Sequence, residues 1–141
     1  MNKAGPIIII EDDADDQEIL IEIFRNLRYA NKVIYFTNGK DALEFLNKTD
    51  LHPFLILSDI NIPKLNGFEL RSMVFTDKQL QTKCIPYLFF TTASNKKTVL
   101  DAYALSIQGF FIKPGSMQAL TNTIKKIVDY WQECIAPNQF E

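Results

Sequence analysis

Five short apolar runs punctuate the chain, at residues 6–10, 32–36, 53–57, 85–90 and 109–112. The first, PIIII, and the third, PFLIL, carry no charged or polar side chain, which is the pattern of strands buried on both faces. Between the runs, apolar positions recur at helical spacing. In residues 14–28, Leu20, Phe24 and Leu27 share one face with Ile21 beside them. Asp13 stands where this helix needs an N-cap, and Asp15 and Asp16 suit the positive end of its dipole as a solvated first turn. Four more helices are predicted over residues 39–48, 67–80, 95–106 and 116–135. In the third, Leu70, Met73 and Val74 line one side; in the last, Met117, Leu120, Ile124, Ile127 and Trp131 form a stripe. Tyr103 and Trp131 read as packing residues.

Strand and helix thus alternate five times at short spacing. That pattern implies right-handed crossovers and an α/β fold, a parallel sheet covered by helices on both faces. The chain of 141 residues suits one domain, with a core over about residues 6–135 and a short tail at 136–141. Hydrophobic residues make up 47% and charged residues 23%, enough for a real core and against disorder. A net charge of -2 gives no general attraction to nucleic acid or to an anionic membrane. No apolar run approaches the roughly 20 residues of a membrane span, and the N-terminal run is too short for a signal peptide, so a cytoplasmic location is expected.

The reactive side chains are few. His52 is the only histidine, which excludes a site built on two His ligands and leaves it as a loop residue. Cys84 and Cys134 lie far apart and read as reduced, structural thiols. Chemistry therefore falls to carboxylates, hydroxyls and lysine. In open parallel sheets ligands sit beyond the carboxyl ends of the strands. There the sequence places Glu11, Asp12 and Asp13 after the first strand, Asp59 and Asn61 after the third, Thr91 and Thr92 after the fourth, and Lys113 before Pro114 after the fifth. Carboxylates gathered in one hollow need a cation to stay ionised together. Hard oxygen donors beside a phosphate point to Mg²⁺. A metal-bridged aspartate can act as a nucleophile toward a phosphoryl group, with Lys113 and Mg²⁺ neutralising the phosphoryl oxygens and Thr91 donating to one of them. Calcium binding by an EF-hand at residues 11–16 is excluded, since that loop needs a glycine this segment lacks.

Four motifs in chain order, IEDD after the first strand, SDINIPKLNG after the third, FFTTAS after the fourth and FIKPG after the fifth, give a specific resemblance. The chain resembles response-regulator receiver domains of the CheY-like, single-domain type from Pro6 to about Ile135. The resemblance implies a flavodoxin/CheY-like fold with strand order 2-1-3-4-5 and five helices. It also implies Asp59 as phosphoacceptor, with Asp12 binding Mg²⁺ directly. Glu11 would act beside it through water, and Asn61 would lend its backbone carbonyl. Thr91 would be the switch hydroxyl, Phe110 the switch aromatic, and Lys113 the lysine that pairs with the carboxylate or phosphate, its bond to Pro114 cis. Asn61 and Ala93 match family positions that influence hydrolysis. Thr92 departs from the small residue usual there and would narrow access to Asp59. Ile62 and Asn66 replace a common Met and Asp without removing a chemical group.

What the resemblance implies in function is a phosphorylation-controlled binding module of a two-component or phosphorelay pathway. A histidine kinase or histidine phosphotransfer protein would donate the phosphoryl group. Output would pass through the face of the fourth helix, fifth strand and fifth helix to an unidentified protein, a face also suited to a homodimer; no nucleic acid or membrane contact is implied. Three other functions compete. A haloacid-dehalogenase-type phosphatase needs DxD after its first strand, whereas Asn61 stands at the second acidic position and the motif follows the third strand. A flavodoxin-like cofactor binder needs a phosphate loop where this chain has EDDADD. A receiver-like module working without phosphorylation has no need of the full acidic, hydroxyl and lysine set.

Overall fold

A computed structural model describes residues 1–92 and 94–140. The chain runs β1 (Ile7–Ile10), α1 (Ala14–Leu27), β2 (Val33–Phe36), α2 (Gly39–Lys48), β3 (Leu55–Ser58), α3 (Gly67–Thr76), α4 (Lys78–Thr82), β4 (Tyr87–Thr91), α5 (Lys96–Ala104), β5 (Gly109–Ile112) and α6 (Met117–Glu133), and ends in a 3₁₀ turn at Pro137–Phe140. The five strands form one parallel sheet of order β2-β1-β3-β4-β5. This is the order and the flavodoxin/CheY-like architecture that the resemblance implied. Among the described residues no helix is long and apolar enough to cross a membrane.

Strand alternation divides the core in two. Ile7 and Ile9 of β1, Leu55 and Leu57 of β3, and Leu88 and Phe90 of β4 face Leu20, Ile23 and Phe24 of α1 and Ile124, Ile127 and Val128 of α6. The intervening residues, Ile8, Ile10, Ile56, Tyr87 and Phe89, face Ala42 and Leu46 of α2, Leu70 and Val74 of α3, Leu80 of α4 and Ala102 of α5. The continuous isoleucine run is explained by this double burial: each side of β1 meets a helical layer.

The predicted third helix is two helices. Asp77 is the C-cap of α3 and, at once, the N-cap of α4, its carboxylate accepting from Leu80 N–H at 3.0 Å. Short acidic side chains compete with helical hydrogen bonding in this way, so six α-helices replace the five expected. The buried stripe of α3 turns toward Arg71 rather than Met73, which is exposed, as are Tyr103 and Met117. α5 packs through small Ala102 instead, and Met117 opens the first turn of α6, which buries its stripe only from Leu120 onward. Both thiols are free, but Cys84 lies at the surface, on the exposed turn that follows α4, and is not a core residue. His52 is an exposed loop residue, as read from the sequence.

Arg71 is 4% exposed. Its Nε donates to the Leu105 carbonyl at 2.9 Å and its Nη2 to the Ser106 carbonyl at 2.7 Å, while the guanidinium lies over the Phe75 and Tyr87 rings. These carbonyls end α5, so one cation caps one helix and ties it to α3. Arg71→Met is expected to cost about 2–4 kcal/mol, because two carbonyls lose charge-assisted partners. A lowered urea midpoint with unchanged slope is the measurement, and an unchanged midpoint would contradict the account.

Candidate phosphoacceptor site

Sheet register builds the site. Ile10 pairs with Ser58, so the next residues, Glu11 and Asp59, leave the sheet side by side. Asp59 N–H donates to the Ile10 carbonyl at 3.0 Å and Glu11 N–H to the Phe36 carbonyl at 2.9 Å, which carries the pairing one residue past the strands. Thr91 pairs with Ile112, and Lys113 N–H donates to the Thr91 carbonyl at 2.7 Å. Glu11, Asp59 and Lys113 share the parity of the face covered by α1 and α6. Together they line a small cavity with Ile9, Leu20, Leu57 and Phe90.

The three side chains touch. Lys113 Nζ donates to Glu11 Oε1, and to Asp59 Oδ2 at 3.2 Å. The Lys113 side chain is 10% exposed, that of Glu11 2% and that of Asp59 12%. Asp59 Oδ1 accepts from Ile60 N–H at 2.7 Å, and Ser58 Oγ donates to the Asp59 carbonyl at 2.8 Å. The Asp59 carboxylate is thereby held at one oxygen by backbone and at the other by the ammonium. Glu11 Oε2 accepts from Asp13 N–H at 3.3 Å. Burial raises the Glu11 carboxyl above its ordinary range, against the pull of the Lys113 hydrogen bond and charge. Burial also opposes the Lys113 ammonium. The hydrogen bond to Glu11 and the charges of Asp59 and Glu11 outweigh it and leave Lys113 above its usual value.

The loop that follows Asp59 is fixed from several sides. Asn66 and Glu69 form a capping box at the start of α3, with Glu69 N–H donating to Asn66 Oδ1 at 2.9 Å and Asn66 N–H donating to Glu69 Oε1 at 3.1 Å. Gly67 N–H donates to the Ile60 carbonyl at 2.8 Å, closing the loop over the strand end. Lys64 takes a φ of 67° within it.

The other expected site residues are placed as follows. Asp12 and Asn61 are exposed beside the group, and Thr92 is exposed and lines a cavity together with Asp16 and Lys113. Thr91 is buried at the end of β4 with the parity of the α3 and α5 face, and Phe110 lies on that same face, edge-on to Phe89 at 6.1 Å. The two switch candidates are thus on the opposite side of the sheet from Glu11 and Lys113. Ala93 lies outside the described residues. The Lys113–Pro114 bond is not cis: the described residues contain no cis peptide, and trans is the intrinsically favoured isomer.

One residue escaped sequence reading. Asp16, expected as part of a solvated helical turn, places Oδ2 3.4 Å from Lys113 Nζ. Asp13 caps α1 as expected, accepting from Asp16 N–H at 2.9 Å, and this turn aims the Asp16 side chain over the sheet edge. The only signal was its position, one helical turn past the acidic pair.

The donors available to a metal ion, the Asp12 and Asp59 carboxylates and the Asn61 carbonyl, are all hard oxygen. Among the described residues no three acidic, His or Cys side chains converge enough to hold a metal alone. That donor set fits a cation that completes its shell with water and substrate oxygens.

Residues 7–125 match the response regulator receiver domain family, and the chain belongs to that family of two-component signalling domains. Among curated relatives, the probable methanogenesis regulatory protein FilR2 of Methanothrix harundinacea is 27% identical over 132 residues, covering 89% of this chain and 82% of that protein. The response regulator Rcp1 of Synechocystis is 26% identical over 139 residues, covering 95% and 93%. The crystal structure of the phosphorylated cyanobacterial phytochrome response regulator RcpA aligns with a TM-score of 0.84 at 25% identity, over 94% of this chain and 97% of that one. The Mn²⁺-bound form of Rcp1 aligns with a TM-score of 0.78 at 25% identity, over 92% and 96%.

Proposed function

We propose that the chain is a single receiver domain that accepts a phosphoryl group on Asp59 from a phosphohistidine of a histidine kinase or histidine phosphotransfer protein, with Mg²⁺ as cofactor. The observation that carries the reading is the Asp59 carboxylate, held at the carboxyl edge of the sheet by Ile60 N–H and by Lys113 at 3.2 Å. In the transfer, a carboxylate oxygen of Asp59 forms the new bond to phosphorus. The bond from phosphorus to the imidazole nitrogen breaks, and the imidazole leaves with the electron pair. Lys113 neutralises charge on the phosphoryl oxygens. Asp12, Asp59 and the Asn61 carbonyl would hold Mg²⁺, with Glu11 acting through water; the ion would supply further neutralisation of the phosphoryl oxygens. The phosphorylated form of RcpA and the Mn²⁺-bound form of Rcp1 support this assignment by similarity.

The product is a switch and not a turnover: the domain promotes only its own phosphotransfer and dephosphorylation. The added charge draws the Thr91 hydroxyl and Lys113 inward, and Phe110 follows into the space on their side of the sheet. Output falls on the face of α5, β5 and α6. There Leu100, Tyr103 and Ile112 are exposed apolar side chains suited to a protein partner or a second copy of the chain. A cytoplasmic location agrees with a phosphohistidine donor.

Intact-protein mass after incubation with acetyl phosphate and Mg²⁺ tests the reading. One phosphoryl adduct is expected on the native protein and none on Asp59→Asn or after EDTA. An adduct that persists in Asp59→Asn would move the acceptor elsewhere.

A further inference from the structure

We propose that Asp16 is a specificity-determining residue that disfavours small, free anionic phosphoryl donors at Asp59. The inference rests on the assignment of Asp59 as phosphoacceptor and goes beyond it. Asp16 Oδ2 lies 3.4 Å from the ammonium that Asp59 Oδ2 approaches to 3.2 Å. The two carboxylates thus compete for one cation. Asp16 is also the outermost of the three carboxylates on Lys113: its side chain is 37% exposed, whereas Glu11 and Asp59 are buried or nearly so. Together with Thr92, Lys113, Pro114 and Met117 it lines an open cavity of about 350 Å³. Lys113 borders both this cavity and the small one at Asp59.

Charge decides what this placement does. Glu11, Asp16 and Asp59 gather around a single lysine, and Asp12, next to Glu11 in the chain, adds a fourth carboxylate exposed at the surface. One divalent cation leaves one negative charge uncompensated, and Asp16 is the carboxylate with neither a backbone donor nor an expected metal role to absorb it. A dianionic donor approaching Lys113 is repelled by that charge and meets an ammonium already engaged. The effect slows the reaction of Asp59 with free acyl phosphates without abolishing it. It also leaves the group intact as a fold feature, because the N-cap contact uses the Asp16 N–H and not its side chain.

The reaction with acetyl phosphate forms a bond between an Asp59 oxygen and phosphorus and breaks the bond from phosphorus to the acetyl oxygen. Acetate leaves with the electron pair, and nothing is oxidised or reduced. The second-order rate constant for adduct formation, read by intact mass with Mg²⁺ present, is to be compared for the native protein, Asp16→Asn and Asp16→Glu. Two donors are needed: dianionic acetyl phosphate, and phosphoramidate, which is singly charged near neutral pH. Asp16→Asn is expected to raise the acetyl phosphate rate about 5- to 20-fold and the phosphoramidate rate by a smaller factor. Asp16→Glu should stay within about twofold of native, and added salt should speed the native reaction more than that of Asp16→Asn. Equal rates in native and Asp16→Asn, a fall in Asp16→Asn, or the same gain for both donors would overturn the proposal while leaving Asp59 as acceptor. If neither protein forms an adduct with either donor, the acceptor assignment falls and this inference with it.

Discussion

Lys113→Met is expected to destabilise the protein by about 3–5 kcal/mol at neutral pH and to suppress phosphoryl uptake at Asp59. The size follows from what the substitution leaves behind. Glu11 is buried on the α1 and α6 side of the sheet, its neighbours there are Leu20, Leu57 and Phe90, and Lys113 is the cation that compensates it. Asp59 loses the same partner. Removing one member of a buried ion group strands the others in a medium that solvates charge poorly, and methionine returns only the apolar stem. The pH dependence gives the loss a signature. Burial already raises Glu11 above its ordinary value against the pull of Lys113. Without the ammonium the rise grows. Over the interval between the ordinary and the raised value, the native state holds a proton that the unfolded chain has released. Stability therefore falls as pH rises through that interval. The variant should recover stability as pH is lowered from about 7 toward 5, more than the native protein does. Lys113 is itself raised, so the stability it contributes is present below the ordinary lysine value and fades above it. The variant should lack this alkaline limb. Urea midpoints across pH measure both limbs, and parallel profiles for the two proteins would refute the role given to the ion group.

That ion group was only half legible in the sequence. Glu11, Asp59 and Lys113 could be read because each follows an apolar run, Asp59 after one intervening serine, and a parallel sheet brings the ends of such runs to one edge. Strand identity was legible as well: PIIII and PFLIL have no polar face, so they must be covered twice. Asp16 was not legible. An aspartate in the first turn of a helix is ordinarily a dipole partner in water, and its contact with Lys113 depends on where α1 crosses the sheet, 97 residues away in the chain. Arg71 was missed for a related reason. Apolar spacing favoured Met73 as the buried neighbour of Leu70 and Val74, but the position of Arg71 is settled by two carbonyls at the end of α5. The division at Asp77 was written in the chain as an N-cap residue, yet the apolar period on both sides of it argued for one helix. Side preference was beyond the sequence as well. Thr91 follows Phe90 in the chain, but its parity sets it with Phe110 on the face opposite Glu11 and Lys113, so any response of that hydroxyl to a phosphoryl group is transmitted across the end of the sheet.

The acceptor loop gives the second large effect. Gly67→Ala is expected to cost about 2–4 kcal/mol and to slow phosphoryl uptake about a hundredfold, whereas Gly115→Ala should change neither. The two glycines flank the same site and differ in what a methyl group would meet. At Gly67 a Cβ would lie 2.5 Å from the Asp59 carbonyl oxygen, 2.8 Å from Ile60 Cα and 3.0 Å from the Phe89 ring. Two of these are backbone atoms of the acceptor segment, which cannot rotate aside. Phe89 is fully buried and stacks edge-on with Tyr87, Phe68 and Phe110, so it has little room to yield. The loop must therefore move, and the residue that moves with it is Asp59. A shift of order 1 Å there is enough to misplace a nucleophile by the amount that costs about a hundredfold in rate. The hydrogen bond from Gly67 N–H to the Ile60 carbonyl and the capping box of Asn66 and Glu69 resist that shift, which is why the strain appears as lost stability as well as lost rate. At Gly115 nothing lies within 4 Å of the added carbon, and its φ is not positive. The comparison separates a steric requirement at the acceptor from a general intolerance of the site's loops. If Gly67→Ala retains both its urea midpoint and its rate of adduct formation, the close approach of α3 to the acceptor strand is not what positions Asp59.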